Sequence, residues 1–246
     1  MSLVTVVMNS YKRPHTISEQ YEAIKNQTVK DISIMCWFNF DESSRRENYP
    51  TDFIHSVPCA FSNVNMGVWA RFAYALNANS KYICVVDDDT IFGKKWIENC
   101  LNTMKTHRGL LGCRGVRMIG DDYTQYPACK YEGICGNENI EQVDIMGHCW
   151  FFEKEWLKAY WAEMPYQLPP FGGEDMHFSF AIQKHFGLKT YVPPQPKDDK
   201  EMWGSINPSK YGEDMAATSR TRDGFIQANA YWNHLLSQGY KLVKDQ

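Results

Sequence analysis

Apolar residues fall in short blocks along the first ninety positions, and the blocks alternate between two periods. Leu3 to Met8 is a β-branched run that stops at Asn9-Ser10, which predicts a buried strand. Lys12-Arg13-Pro14 breaks it. Thr16, with Glu19 three residues on, reads as a capping box, and Ile17, Tyr21 and Ile24 follow at helical spacing. Ile32 to Phe38 predicts a second strand ending near Asp41, Asp41 to Pro50 a polar loop, and Val57 to Phe61 a third strand. Val68, Phe72 and Leu76 mark a helix, and Tyr82 to Val86 is a fully apolar strand closed by Asp87. Strand alternating with helix implies parallel pairing, with helices covering both faces of the sheet. Ligands of such sheets bind outside the carboxyl ends of the strands. Asn9-Ser10, Asp41 and Asp87 to Asp89 all fall at such ends.

The second half is less regular. Ile97, Cys100, Leu101 and Met104 predict a helix, and Leu110 to Met118 and Val143 to Phe152 predict strands. Met176, Phe180 and Gln183 lie on a helix running to about Phe186, with Gly187 as its C′ residue. Thr190 to Val192 is a brief strand, and Pro193 to Gly212 is irregular. Phe225, Asn229, Trp232 and Leu236 mark a last helix. No repeat or low-complexity linker interrupts the chain. The pattern predicts an α/β class: one domain with a mixed, mostly parallel central sheet, flanking helices and a C-terminal extension.

Composition narrows the function. At 43% hydrophobic and 22% charged residues, the chain is an ordinary globular sequence. A net charge of -3 argues against gripping bare nucleic acid through a basic face. The aromatic content of 14% leaves rings to line a pocket, where flat apolar faces suit sugars and bases. None of the eight cysteines forms a CxxC pair, so no zinc site is expected. Met1-Ser2 leads straight into the first strand, and no run approaches a membrane span. The thiols therefore read as reduced and buried, in the cytoplasm of a bacterial or virus-infected cell.

Three groups of residues carry chemistry. Asp87-Asp88-Asp89 puts three mutually repelling carboxylates at the end of a buried strand, which a divalent cation such as Mn²⁺ or Mg²⁺ would relieve. In a tight turn alternate carboxylates face one side, which favours Asp87 and Asp89 as the working pair. Phe171-Gly172-Gly173-Glu174-Asp175 opens a helix, where glycines allow close backbone approach and a carboxylate can serve as a general base. Arg71, Lys210, Arg220 and Arg222 are cations able to meet a diphosphate.

In order and spacing these elements resemble the GT-A (Rossmann-like) nucleotide-sugar glycosyltransferases, and specifically family 2 and its relatives. The resemblance runs from about residue 3 to 192. It rests on Val4 to Pro14, on Asn65-x-Gly67 followed by Arg71, on Tyr82 to Asp89, and on Gly172-Gly173-Glu174-Asp175. It implies a catalytic domain over 1–192, with a nucleotide half over about 1–90 and an acceptor half over about 91–192, and an extension over 193–246. It also implies sugar transfer from a nucleoside-diphosphate donor, UDP-linked by expectation, to a hydroxyl of a glycan, glycoprotein or small molecule, with inversion.

By the same resemblance, Asn9, Tyr11 and Arg13 border base and ribose, and Asp41 sits near the base. Asn65, Arg71, Asp87 and Asp88 complete the donor site. Asp89, with Asp87, binds the metal. Asp175 is the base and Glu174 contacts the acceptor. The sequence departs from the family at Trp37-Phe38-Asn39-Phe40, where relatives carry an acidic pair before Asp41. It also lacks the late histidine that many relatives give to the metal; Asp198 or Asp199 stands nearest. His148 and Trp150 are expected on the acceptor wall, and His177 and His185 as core or surface residues. Three readings compete. A sugar nucleotidyltransferase would carry a glycine-rich first loop, which Asn9 to Arg13 is not. A non-catalytic sugar-nucleotide binder is a second. An enzyme acting on modified viral DNA bases is the third, which the net charge disfavours.

Overall fold

The computed structural model describes residues 2–41, 45–119, 131–163, 172–207, 210 and 222–246; for 131 and 222–227 it describes the backbone alone. β-Branched and aromatic runs form the central strands. β1 is Val4–Ser10, β2 Ile32–Asn39, β3 Cys59–Ser62 and β4 Tyr82–Val86. Between them lie α1 (Ile17–Lys25), α2 (Thr51–Ser56) and α3 (Ala70–Ala75). α4 (Trp96–Thr106) leads to β5 (Gly109–Leu111), β6 (Arg114–Met118) and β7 (Tyr131–Ile134). Then come β8 (Glu141–Val143), β9 (Ile145–Gly147), β10 (Cys149–Glu153) and α5 (Leu157–Ala162). α6 (Glu174–Phe186), β11 (Lys189–Val192) and α7 (Arg222–Ser237) complete the order.

The large sheet has the order β3-β2-β1-β4-β10-β5-β11-β8, and β7-β6-β9 form a small second sheet. β1, β2, β3 and β4 pair in parallel, while β10 runs antiparallel to β4 and β5. The chain moves outward from β1 to β2 and β3, then returns to place β4 on the other side of β1. This reversal opens a crevice at the carboxyl ends of β1 and β4. Trp150, Phe72, Phe152, Phe178 and Tyr160 pack under it as fully buried rings.

Several expectations change. Leu110 to Met118 is two strands in two sheets. The chain turns at Gly112, where an added Cβ would lie 1.9 Å from Met146 Cε and 2.6 Å from the Cys149 carbonyl oxygen. Val143 to Phe152 is three strands, broken at Asp144 and at His148, whose φ is +68°. Buried Asp144 accepts from Met118 N and Val243 N, both at 2.7 Å, so its carboxylate ties the small sheet to the C-terminus. Thr16 makes no capping box; its hydroxyl instead donates back to the Arg13 carbonyl at 2.9 Å. Gly187 ends α6 in the left-handed conformation, as its position suggested. The seven described cysteines are free thiols, five of them buried. No helix among the described residues is long and apolar enough to cross a membrane.

The last helix belongs to the same core. His177 of α6 is fully buried between Tyr160 and Tyr231. Its Nε2 donates to the Tyr160 carbonyl at 2.7 Å, so Nδ1 carries no proton and accepts from the Tyr231 hydroxyl at 2.5 Å. Burial holds its pKa down at about 4, so the ring is neutral.

Candidate active site

The turn after β4 is pinned from below. Gln20 Nε2 donates to the carbonyls of Asp87 (2.7 Å) and Thr90 (2.9 Å), and Thr90 N donates to the Asp87 carbonyl at 3.1 Å. Gln20 lies on the buried stripe of α1 with Ile17 and Ile24. That polar residue on an apolar stripe was the sequence signal for this role, and sequence reasoning missed it.

The three carboxylates diverge. Asp88 turns inward, ion-paired with buried Arg13 and accepting from Tyr11 N at 2.8 Å. Burial raises its pKa to about 7, against the pull of Arg13. Asp87 and Asp89 face the crevice, where His148 joins them from the start of β10. One ligand atom of each lies within 4.8 Å of the others. Burial raises Asp87 to about 6 although Arg71 opposes it. Asp89 is also pushed up by burial, but His148 and Arg13 outweigh that and lower it. Its Oδ1 stands 3.7 Å from His148 Nδ1, a charge contact rather than a formed hydrogen bond, and its Oδ2 is 3.4 Å from Arg13. Burial pushes His148 down, yet Asp89 and Asp87 beside it hold it above its ordinary value. Two carboxylates and an imidazole converging at this range suit Mn²⁺ or Mg²⁺, whose charge the excess of anions favours.

His148 and Lys12 have positive φ without being glycine, at +68° and +60°, and both border the crevice. Backbone held in this sparsely populated region concentrates at functional sites. At His148 the conformation reverses the chain between two sheets, and its carbonyl accepts from Asp87 N at 3.0 Å.

The second wall is the start of α6. Gly172 and Gly173 have φ of 146° and 91°, values that let the chain enter the helix only without side chains. Buried Glu174 accepts from Arg71 Nη2 at 2.8 Å, while Arg71 Nη1 meets Asp87 Oδ1 at 2.9 Å. Arg71 is 5% exposed, and its guanidinium lies over the Trp150 ring at 4.7 Å. One cation thus joins the β4 turn to the α6 N-terminus. Asp175 is half-buried and accepts from Met176 N at 2.8 Å. Burial raises both Glu174 and Asp175, with Arg71 opposing. Asp175 makes no ion pair among those described here, so its carboxylate remains a basic group at the crevice.

The other predicted residues divide. Tyr11 donates its hydroxyl to Asp41 Oδ2 at 2.7 Å, and Lys12 Nζ lies 3.3 Å from the same oxygen. Asn9 is half-buried at the end of β1. Asn65 joins the β2 end through Asn39, whose Nδ2 donates to Asn65 Oδ1 at 2.8 Å. Trp150 is 1% exposed and belongs to the core under Arg71, which corrects its expected place on the acceptor wall. Asp199 is turned away, bonded to Lys95 Nζ at 2.8 Å, and Asp198 is exposed; neither joins the Asp87, Asp89 and His148 group. Lys210 pairs with Glu19 at 2.9 Å. His185 pairs with Glu163 at the surface. Phe171, Arg220 and the Arg222 side chain lie outside the described residues.

The family model for glycosyl transferase family 2 matches residues 5–161. No curated protein matches the chain. Among solved structures, S. aureus TarS 1-349 superposes with a TM-score of 0.54 at 13% identity, over 80% of this chain and 61% of that one. The same protein in complex with UDP-GlcNAc gives 0.54 and 13%, over 81% and 60%. This chain therefore spans about three fifths of the length of these structures, and at such identity the likeness shows the GT-A fold alone. The family match covers most of the described crevice, from the β1 strand through the acidic turn and His148 to α5, and on that ground the chain belongs to glycosyl transferase family 2.

Proposed function

We propose that the chain moves a sugar from a nucleoside-diphosphate sugar to an acceptor hydroxyl, with inversion at the anomeric carbon. One observation carries the reading: half-buried Asp175 directly follows Glu174, which shares the Arg71 guanidinium with Asp87 of the Asp87, Asp89 and His148 group. Asp87, Asp89 and His148 would hold Mn²⁺ or Mg²⁺. When bound, the ion supplies positive charge for the diphosphate leaving group. Tyr11, Asp41, Asn9 and Asn65 border base and ribose. Arg13 and Asp88, buried against each other, set the β4 turn rather than touch the donor. Asp175 accepts the proton of the acceptor hydroxyl, and its place in the first turn of α6 favours its anion. Glu174 holds Arg71, a positioning task in place of the acceptor contact expected from sequence.

A uridine-linked donor is the first candidate, supported by a fold neighbour that holds UDP-GlcNAc. The acceptor class is a glycan, glycoprotein or small molecule. The test is a thermal-shift panel of nucleoside diphosphates and nucleotide sugars with and without Mn²⁺. A ligand at 100 times its Kd adds about 2.7 kcal/mol of stability. A shift requiring both metal and one nucleotide supports the reading, and no shift from any member overturns it. A product with retained anomeric configuration would overturn inversion.

A further inference from the structure

A second cavity lies at the far end of the sheet. Lys81 directly precedes β4, and Glu153, paired with Tyr82, ends β10. Beside them is an open groove of about 640 Å³. Lys81 stands six residues before Asp87, roughly 20 Å at the usual rise per strand residue, so the groove is separate from the crevice. Its apolar surface comes from Leu76, at the C-cap of α3, and from Leu157 and Trp161, which share one face of α5 at i and i+4. Leu76 is 48% exposed and Leu157 only 1%, so the rim projects and the floor is recessed.

The polar lining is cationic. Lys81, Lys154 and Lys158 border the groove, and none of the three forms an ion pair among the described residues. Lys81 Nζ lies over the Tyr82 ring at 4.8 Å, and Lys154 Nζ donates to the Ala78 carbonyl. Two carboxylates also line the groove, Glu153 and Glu155, and Arg108 answers both from outside the lining. It donates twice to Glu153, at 2.7 and 2.8 Å, and stands 3.5 Å from Glu155. Three ammonium groups without an ion-paired carboxylate thus gather here, in a chain of net charge -3. Their stems add apolar surface beneath the charged heads.

A cleft of this volume, apolar below and edged by a few charges, has the character of a small-molecule site. Nine residues line it, where a standard protein interface takes about 20–30 a side. A flat membrane surface would leave recessed Leu157 uncovered, whereas a single chain reaches it. We propose that this groove binds a free long-chain carboxylate, one alkyl chain with one anionic head. The chain lies on Leu76, Leu157 and Trp161, and the lysines hold the carboxylate. The site is independent of sugar transfer at the crevice.

The test is calorimetric titration of the full chain with dodecanoate below its micelle concentration, with octanoate and dodecyltrimethylammonium as comparisons. The same titration is made on Leu76→Glu and Lys158→Glu, both at exposed positions, with circular dichroism to check folding. One dodecanoate should bind per chain, about tenfold or more tightly than the cation of equal chain length. Each methylene removed should weaken binding about fourfold. Either variant should weaken dodecanoate by about tenfold. Absence of saturable binding overturns the proposal, and so does equal affinity for the cationic amphiphile. Two folded variants that bind dodecanoate as the wild type does place the ligand elsewhere and overturn it too. Binding to phosphatidylglycerol vesicles without binding of monomeric dodecanoate overturns it in favour of a membrane surface.

Discussion

The two walls of the crevice are built differently. The wall proposed to take the donor comes from the ends of β1, β2 and β4, neighbouring strands whose register is set by backbone pairing. Two of its carboxylates are fixed by partners on the same three strands and their loops: Arg13 and Tyr11 N for Asp88, Tyr11 for Asp41. The wall proposed to supply the base is the tip of one helix. It is held by Arg71, from 103 residues earlier, and by His177, bonded to Tyr231 54 residues later. The donor wall is thus a consequence of the sheet, whereas the base wall depends on a few long-range polar contacts. Its placement should fail first when those contacts are removed.

The largest expected effect breaks the base wall's chemistry without its structure. Asp175→Asn should bind donor normally and turn over about 10²–10⁴-fold more slowly; unimpaired turnover would remove Asp175 from the reaction. Next comes Arg71→Met, which leaves buried Asp87 and Glu174 facing each other without their shared cation. Loss of about 3–5 kcal/mol in urea unfolding is expected. Adding Glu174→Gln to it should recover part of that loss, and strict additivity would show that the bridge carries no coupling.

His177→Phe strands the Tyr160 carbonyl and the Tyr231 hydroxyl, at a cost of about 1–3 kcal/mol at pH 7.5. Its pH dependence sharpens the comparison. The depressed pKa of His177 contributes stability that is present above its unfolded value of 6.5 and lost as pH falls through about 4. The gap between wild type and variant should therefore narrow from pH 6.5 down to 4, and a constant gap would mean that the buried ring does not titrate as described. The smallest effect is Glu174→Gln alone. Arg71 keeps Asp87 and an amide oxygen, so about 1 kcal/mol is expected, with kcat falling more than KM rises if Arg71 then shifts the helix tip.

The parallel half of the fold was legible because its signals are local. A β-branched run such as Leu3 to Met8 or Tyr82 to Val86 has only one economical home, a strand buried on both faces. The acidic turn was legible for the same reason: three adjacent carboxylates at such a strand's end demand a cation. In the second half, Leu110 to Met118 and Val143 to Phe152 are apolar enough for single strands. Nothing local at Gly112, Asp144 or His148 says that the chain there passes from one sheet to another. Gly112 is required by the approach of Met146 and Cys149, which is a fact of packing.

The sequence by itself determined the α/β class, the rim at which the candidate site residues gather, and the candidates Asp87, Asp89 and Asp175, because hydrophobic period and charge repulsion act between neighbours in the chain. Only the tertiary structure decided which polar groups meet. It turned Asp88 inward to Arg13, carried Trp150 into the core, left Asp199 with Lys95, and brought His148 to Asp87 and Asp89. Those pairings join residues 59 to 104 positions apart. Backbone geometry sets them, above all the reversal at His148 that aims one side chain at the crevice and the next-but-one at the core.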